Sequence, residues 1–543
     1  MTAAGAEVGR TTRVAETIHG ALGAAAEARP SSLYFVSADG SFTTGQTAAE
    51  VDRVARMLVA AGVHPGDRAV VWLPNGLPWI SLFYALARIG AVTVTAGPRL
   101  RMADMPYLLE HSRAQALFYT PEFVGTDYEA MVGELLALRG RGGLESLELV
   151  VRVGEGSPRD GVLSWHELPV AGRLPDPPDP GTPAVVCYTG GTTGRPKGCV
   201  HDHRTLARNA AVAAGLTGLK EGERLVSPMP FAHVFGFHMG VLQCMVGGAT
   251  LIDAEPFAAG TMLDRVERHP GTVLYGVPTM ARELIEEHRT RPRDLGSLRI
   301  ALVAGAPVSP SLRRAALDAD EGLGCELSVV YGATESPTLT QLLPGDAERQ
   351  KLDSVGRATP GIELRIFAPG TTDPLPAGEV GEIGARGYNQ MIGYLDDPEA
   401  TAEKRRGEWI LTGDLGWLDG EGYLYVAGRS SDMLLCGGFN VYPREVENQL
   451  EQMPGITEAV VVAVPDERLG EVGLAFVTTD ISGLTEAAIL AWSREQLATY
   501  KRPSYARIVD SIPRTHAGKT ARAELANEAR RLLPDLPWEP ADG

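Results

Sequence analysis

Lysine is scarce in this 543-residue chain, with six lysines against 44 arginines. Where arginine is the default cation, a retained lysine marks a position that uses a compact, rotatable ammonium and not a planar guanidinium. Positive charge is short overall: the formal net charge is −18 and the sequence pI near 5.2. That balance excludes the concentrated basic surface a nucleic-acid backbone needs. Cysteine is sparse as well. The five thiols (Cys187, Cys199, Cys244, Cys325, Cys436) include no CxxC pair and no metal-ligand spacing, and read as reduced. Long apolar runs are missing: the longest low-charge run, Val241 to Ile252, is too short to span a bilayer. The Ala- and Gly-rich N-terminus is interspersed with Glu and Arg and has no continuous apolar stretch of a secretory signal. A cytoplasmic protein without a membrane span is expected.

What is present is an ordinary globular mixture, 44% hydrophobic and 22% charged. The length calls for a large domain and at least one more. Ala48 to Gly62 has helical periodicity, and Arg68 to Leu73 reads as a buried strand closed by the Pro74-Asn75-Gly76 turn. Helix follows over Trp79 to Gly90 and strand over Ala91 to Thr95, with similar strands at Thr272 to Val277 and Leu298 to Val303. This alternation predicts an α/β fold with mainly parallel sheets. Pro175 to Pro183 is a stiff connector inside the large region. Beyond Gly428 the pattern changes to a strand (Glu458 to Val464), an amphipathic helix (Thr485 to Leu497) and a strand (Ala506 to Val509). The expected division is a large domain over 1–430 and a small α+β domain over 431–543.

The strand Ala184 to Tyr188 runs into Thr189-Gly190-Gly191-Thr192-Thr193-Gly194-Arg195-Pro196-Lys197-Gly198. Glycines let backbone N–H groups approach phosphate oxygens, threonine hydroxyls add donors and Lys197 adds charge. The Walker A spacing GxxxxGK[ST] is absent. Further motifs follow in order: Ala304-Gly305-Ala306-Pro307, Tyr331-Gly332-Ala333-Thr334-Glu335, Thr412-Gly413-Asp414, Gly428-Arg429, Gly437-Gly438-Phe439-Asn440-Val441-Tyr442-Pro443, Tyr500-Lys501-Arg502-Pro503 and Pro513-Arg514-Thr515-His516-Ala517-Gly518-Lys519. Three of the six lysines (Lys197, Lys501, Lys519) fall inside this set.

From about residue 30 to 525 the ordered set resembles the acyl-adenylate-forming superfamily of acyl-CoA synthetases, peptide-synthetase adenylation domains and firefly luciferase. The resemblance implies ATP-dependent adenylation of an acid, followed by attack of a thiol, that of coenzyme A, on the activated carbonyl. It implies that Tyr331 stacks on adenine with Gly305, Ala306 and Pro307 along the purine, and that the nucleotide also meets the 189–194 loop, Lys197 and Gly332. Thr334 would contact the α-phosphate and Glu335 would hold Mg²⁺, a hard cation suited to carboxylate oxygen. Asp414 would accept bonds from the ribose hydroxyls, and Arg429 would approach ribose or phosphates. Lys519 would bridge the incoming carboxylate and the α-phosphate. His233, in Pro228 to Gly236, matches a histidine lining the acyl pocket, where it would gate the pocket or orient the carboxylate. Gly437 and Gly438 would line the passage for a pantetheine arm. Relatives rotate the small domain about a hinge that falls here at Ser431, where many carry Asp or Lys; Ser431 is a departure.

The resemblance places the acid pocket around His233 to His238, Tyr275 to Met280 and Ala304 to Pro307. Between Phe231 and Met239 there is no Asp of the kind that amino-acid-activating relatives use, and Val234 stands where ortho-hydroxyaryl activators often have Asn. An unsubstituted aryl, cyclic or medium-chain acyl acid is the preferred substrate. Three other readings stay open: loading of a carrier protein, diazotisation of an aryl amine through activated nitrite, and a nucleotide-binding regulator without catalysis. Intact Lys197, Glu335, Asp414 and Lys519 argue against the last. The alternation His201-Asp202-His203 is read as a polar strand end in preference to a metal site.

Overall fold

The computed structural model describes residues 15–189, 195–306, 308–429, 432–437, 439–466, 468–514 and 520–533. Apolar β-branched segments form strands buried on both faces, as parallel sheets covered by helices require. In one sheet Arg68–Trp72 lies between Val92–Ala96 and Ala116–Tyr119, all parallel. Pro183–Thr189 continues this sheet beside Val92–Ala96 and then returns antiparallel as Lys197–Asp202. A second sheet has a parallel run through Val273–Gly276, Ile300–Ala304 and Glu326–Ala333. Glu326–Ala333 doubles back antiparallel into Ser336–Gln341. A third, antiparallel sheet joins Ile362–Phe367, Gly381–Gly387, Trp409–Leu418 and Leu424–Arg429.

Toward the C-terminus, residues from Leu434 onward build a smaller α+β domain. Ile456–Asp466 and Gly470–Thr479 form a long antiparallel pair, with Tyr505–Ile508 parallel to the second. Its apolar core, which includes Val446, Leu450, Leu474 and Ala529, draws only on residues from Leu434 onward among those described.

Helix Thr44–Ala60 begins four residues before the periodicity that signals it. A capping box is the reason: Gln46 N–H donates to Thr43 Oγ1 at 3.2 Å and Thr43 N–H to Gln46 Oε1 at 2.9 Å. Helix Leu77–Ile89 ends on Gly90, and strands Val273–Gly276 and Ile300–Ala304 fall within two residues of their expected limits.

Candidate active site

The hairpin formed by Pro183–Thr189 and Lys197–Asp202 holds the two ends of the glycine-rich segment in register, Thr189 opposite Lys197. Residues 190–194 (Gly190, Gly191, Thr192, Thr193, Gly194) lie outside the described residues. Flanking them, Tyr107 donates to the Pro196 carbonyl at 3.0 Å, and the Arg195 guanidinium sits 5.3 Å from the Tyr107 ring. Lys197 Nζ lies 5.3 Å from the centre of the Tyr394 ring, a cation–π distance.

Tyr394 in turn donates to Glu335 Oε1 at 2.5 Å. Burial first, then the Glu335 charge, pushes the Tyr394 phenol up, so it stays a donor. Glu335 sits on the turn between strands Glu326–Ala333 and Ser336–Gln341. That turn is pinned from several sides. His201 Nε2 lies 2.7 Å from the Thr334 carbonyl, and burial lowers the His201 pKa, so a neutral imidazole donates there. Asn209 and Asn389 both donate to the Pro337 carbonyl, at 2.5 and 2.7 Å. Thr338, buried and β-branched, holds φ 54°, a strained value kept by its surroundings. Gly332 is obligatory beside it, since a Cβ there would come within 2.6 Å of the Thr338 nitrogen. Glu335 and Lys197 both reach Tyr394, and a carboxylate such as Glu335 is a hard oxygen donor of the kind that fits Mg²⁺ held largely through substrate phosphates.

On the same strand as Gly332, Tyr331 Oη donates to Asp414 Oδ2 at 2.7 Å. Burial and then the Asp414 charge hold the Tyr331 phenol well above its usual range. Asp414 and Arg429 are cross-strand partners, with Arg429 Nε 3.7 Å from Asp414 Oδ1. Arg429 is 49% exposed, leaving its guanidinium accessible to a ligand. The Asp414 backbone is fixed by its own N–H donating to Thr412 Oγ1 at 3.1 Å. Gly305 follows strand Ile300–Ala304 at φ 84°, which a residue with a Cβ adopts only under strain; Ala306 is next.

His233 caps a short helical turn, its Nδ1 accepting from Phe235 N–H at 3.2 Å. The segment continues as a π-helix over Phe237–Leu242, a rare form that is frequent at functional sites. Phe235 stacks on buried Tyr275 at 5.5 Å. Phe237 lies in the same buried apolar cluster as Phe235, 5.8 Å from Phe83 and 6.5 Å from Trp79. His238 is buried too, its pKa pushed down to about 3 by burial. The His201-Asp202-His203 alternation has an ordinary origin: Asp202 caps helix His203–Thr217, accepting from Thr205 N–H at 2.7 Å.

Tyr331, Asp414 and Arg429 are thus brought together, as are Lys197 and Glu335 through Tyr394. Gly437 lies in the small domain. Pro307, Ser431, Gly438 and Lys519 lie outside the described residues. Sequence reasoning missed Tyr394 and His201. Tyr394 is 59 residues from Glu335, and no local pattern joins the two.

Parallel sheets, a strand pair that brackets the glycine-rich segment and a Tyr-to-Glu turn between two strands fit a nucleotide-binding α/β enzyme. The chain belongs to the AMP-binding enzyme family, whose model matches residues 22–395, with the AMP-binding enzyme C-terminal domain matching 445–519. It is 36% identical to a methyl-dioxo-octahydroindenyl-propanoyl:CoA ligase of Mycobacterium tuberculosis, over 94% of this chain and 98% of that protein. Identity to a feruloyl-CoA synthase of an Amycolatopsis species is 35%, over 89% of this chain and 93% of that one. The anthranilate CoA ligase AuaEII, solved with anthranoyl-AMP, superposes with a TM-score of 0.86 at 27% identity, covering 97% of this chain and 99% of that one. The chain is therefore an adenylate-forming enzyme of the acyl-CoA ligase type, with ATP and coenzyme A as its family's substrates. No helix among the described residues is long and apolar enough to cross a membrane.

Proposed function

We propose that the enzyme activates an aryl, cyclic or medium-chain carboxylic acid and passes the acyl group to coenzyme A. The observation that carries this choice is the apolar wall beside His233. Val234 and Phe235 are buried there, Phe235 stacks on Tyr275, and no carboxylate lies between Phe231 and Met239. Such a wall takes a flat or alicyclic body and gives an α-ammonium no partner. Relatives named for feruloyl, indenyl-propanoyl and anthranoyl groups support the same range.

In the first step an acid oxygen bonds to the α-phosphorus of ATP, the bond to the bridging oxygen breaks, and pyrophosphate leaves. Asp414 and Arg429 hold the ribose side, and Tyr331 lies against adenine with Gly305, Ala306, Pro307 and Gly332. Thr189, the 190–194 loop and Lys197 receive phosphate oxygens. Thr334 meets the α-phosphate, and Lys519 neutralises charge as the bond forms. Glu335 would hold Mg²⁺, which when bound would supply charge neutralisation to the leaving phosphates. In the second step the coenzyme A sulfur attacks the carbonyl, AMP leaves, and the thiol proton passes to solvent. His233 orients the carboxylate, while Gly437 and Gly438 border the pantetheine path. We assign residues 1–430 to the large domain and 431–543 to the small one, and place the hinge at Ser431.

Pyrophosphate release from Mg·ATP across aryl, cyclic and straight-chain acids and nitrite, with and without coenzyme A, tests the reading. An acyl-CoA detected by mass spectrometry supports it. Release only with nitrite and an aryl amine, or only with a carrier protein as acceptor, replaces it.

A further inference from the structure

Three distant stretches of chain meet at Asn75, in the turn between strand Arg68–Trp72 and helix Leu77–Ile89. Its side-chain amide donates to the Met229 carbonyl at 3.0 Å and to Asp253 Oδ1 at 2.9 Å. Its Oδ1 accepts from Phe231 N–H at 2.7 Å, and its own N–H donates to Glu255 Oε2 at 2.6 Å. Two acceptors on one side and a donor on the other fix which way the amide points. Asparagine is the side chain of this size that can make all three bonds. Asp lacks the N–H donors and Leu lacks every polar atom.

The segment held this way is the one that presents His233. Met229 and Phe231 are its backbone anchors, and His233 N–H closes the following turn on the Pro230 carbonyl at 3.0 Å. The other end of the bracket is the buried Asp253, which also accepts from Glu255 N–H at 3.2 Å. We infer that Asn75 is a positioning residue for acid binding, fixing the 229–233 backbone against Asp253 and Glu255 so that His233 meets the substrate. The inference rests on the reading of His233 as part of the acid pocket.

The charged and titratable groups facing this bracket are Asp253 and Glu255, with Arg265 acting on the first, Arg99 on the second, and Tyr128 near Glu255. Asn75→Asp keeps the shape and removes the donors, setting a third carboxyl against Asp253. Kinetics of acid-dependent pyrophosphate release are measured on wild type, Asn75→Asp, Asn75→Asp/Asp253→Asn and His233→Ala, varying acid and ATP separately. At pH 8, Asn75→Asp is expected to raise the acid KM about tenfold or more, the loss of a buried donor, while the ATP KM stays within about twofold. At pH 6 the new carboxyl gains a proton, becomes a donor again, and the acid KM falls back towards the wild-type value at that pH. In the double variant the amide at position 253 donates to the new carboxylate, so part of the acid KM returns even at pH 8. The double variant also gives the split between acid and ATP if the single one fails to accumulate.

An unchanged acid KM in Asn75→Asp overturns the inference. So does a joint rise of the acid and ATP KM that neither low pH nor the second substitution reverses. A His233→Ala enzyme with the wild-type acid KM removes the pocket assignment and the inference with it; a raised acid KM there, beside an unaffected Asn75→Asp, removes the inference alone.

Discussion

Tyr331 and Asp414, 83 residues apart, share a hydrogen bond of 2.7 Å. The phenol thereby holds one carboxylate oxygen while Arg429 faces the other at 3.7 Å. An ionised carboxylate oriented from two sides is ready to accept from a pair of hydroxyls without reorganising. Asp414→Ala should raise the ATP KM about tenfold or more, the scale of losing charged hydrogen bonds. Steady-state kinetics with ATP varied at saturating acid measure it, and an unchanged ATP KM removes Asp414 from the ribose site.

Tyr394→Phe leaves the ring under Lys197 and removes the hydroxyl that holds Glu335 Oε1. The Mg²⁺ dependence of pyrophosphate release should shift to higher concentration, with a rate loss of about tenfold at saturating Mg²⁺. Glu335→Gln should be the more severe of the two, about a hundredfold. Equal Mg²⁺ curves for wild type and both variants would separate this carboxylate from the metal.

Lys519→Ala should abolish adenylation and leave ATP binding intact. Losing one preorganised donor to developing charge typically costs about 2.7–4 kcal/mol, a hundredfold to a thousandfold in rate. Rapid-quench measurement of adenylate formation, beside equilibrium ATP binding, checks both halves. Pyrophosphate release equal to wild type would contradict the role.

The carboxyl pair behind Asn75 carries a stability prediction. Burial raises Asp253 to about 6 and Glu255 to about 7. The folded state therefore binds more protons than the unfolded one between about pH 4 and 7. The stability tied to these groups is full below the unfolded values and declines as pH rises through the folded ones. Glu255→Gln keeps an acceptor for Asn75 N–H and never ionises. It should exceed wild type by roughly 1–3 kcal/mol at pH 8 and lose that advantage near pH 4. Denaturant unfolding at the two pH values reads the difference; a pH-independent difference would contradict it.

In the small domain, Glu447 is nearly inaccessible, accepts from Val461 N–H at 2.9 Å and pairs with Arg522. Arg522 also donates to the Val461 carbonyl at 2.8 Å and faces Asp432 at 3.5 Å. Glu447→Ala leaves the Val461 N–H unpaired and Arg522 with Asp432 as its remaining carboxylate, and should destabilise this domain by about 1–3 kcal/mol. Hydrogen exchange should show faster opening in residues 443–529 than in the rest of the chain; uniform exchange across the molecule would contradict that.

The parts of this molecule written in local pattern were legible in the sequence. Alternating strand and helix carry the α/β class, and the family resemblance of the ordered motifs singles out Tyr331, Asp414 and Arg429, which the fold places side by side. What escaped depends on long-range closure. Tyr394 reaches Glu335 over 59 positions, His201 reaches Thr334 over 133, and Asn75 reaches Phe231 over 156. Asn75 looks like turn chemistry alone, because a turn and a three-way bracket use the same residue. Phe235 and Phe237 both enter the same apolar core, the first against Tyr275 and the second against Phe83, contacts that no local pattern announces.

Transfer of labelled oxygen tests the central claim most directly. An acid accepted by the enzyme, labelled with ¹⁸O in its carboxylate, is turned over with Mg·ATP and coenzyme A, and the nucleotide product is weighed by mass spectrometry. Attack of the acid on the α-phosphorus, followed by thiolysis, leaves one labelled oxygen on AMP. AMP without label, or label in phosphate beside ADP, would contradict adenylation of the acid.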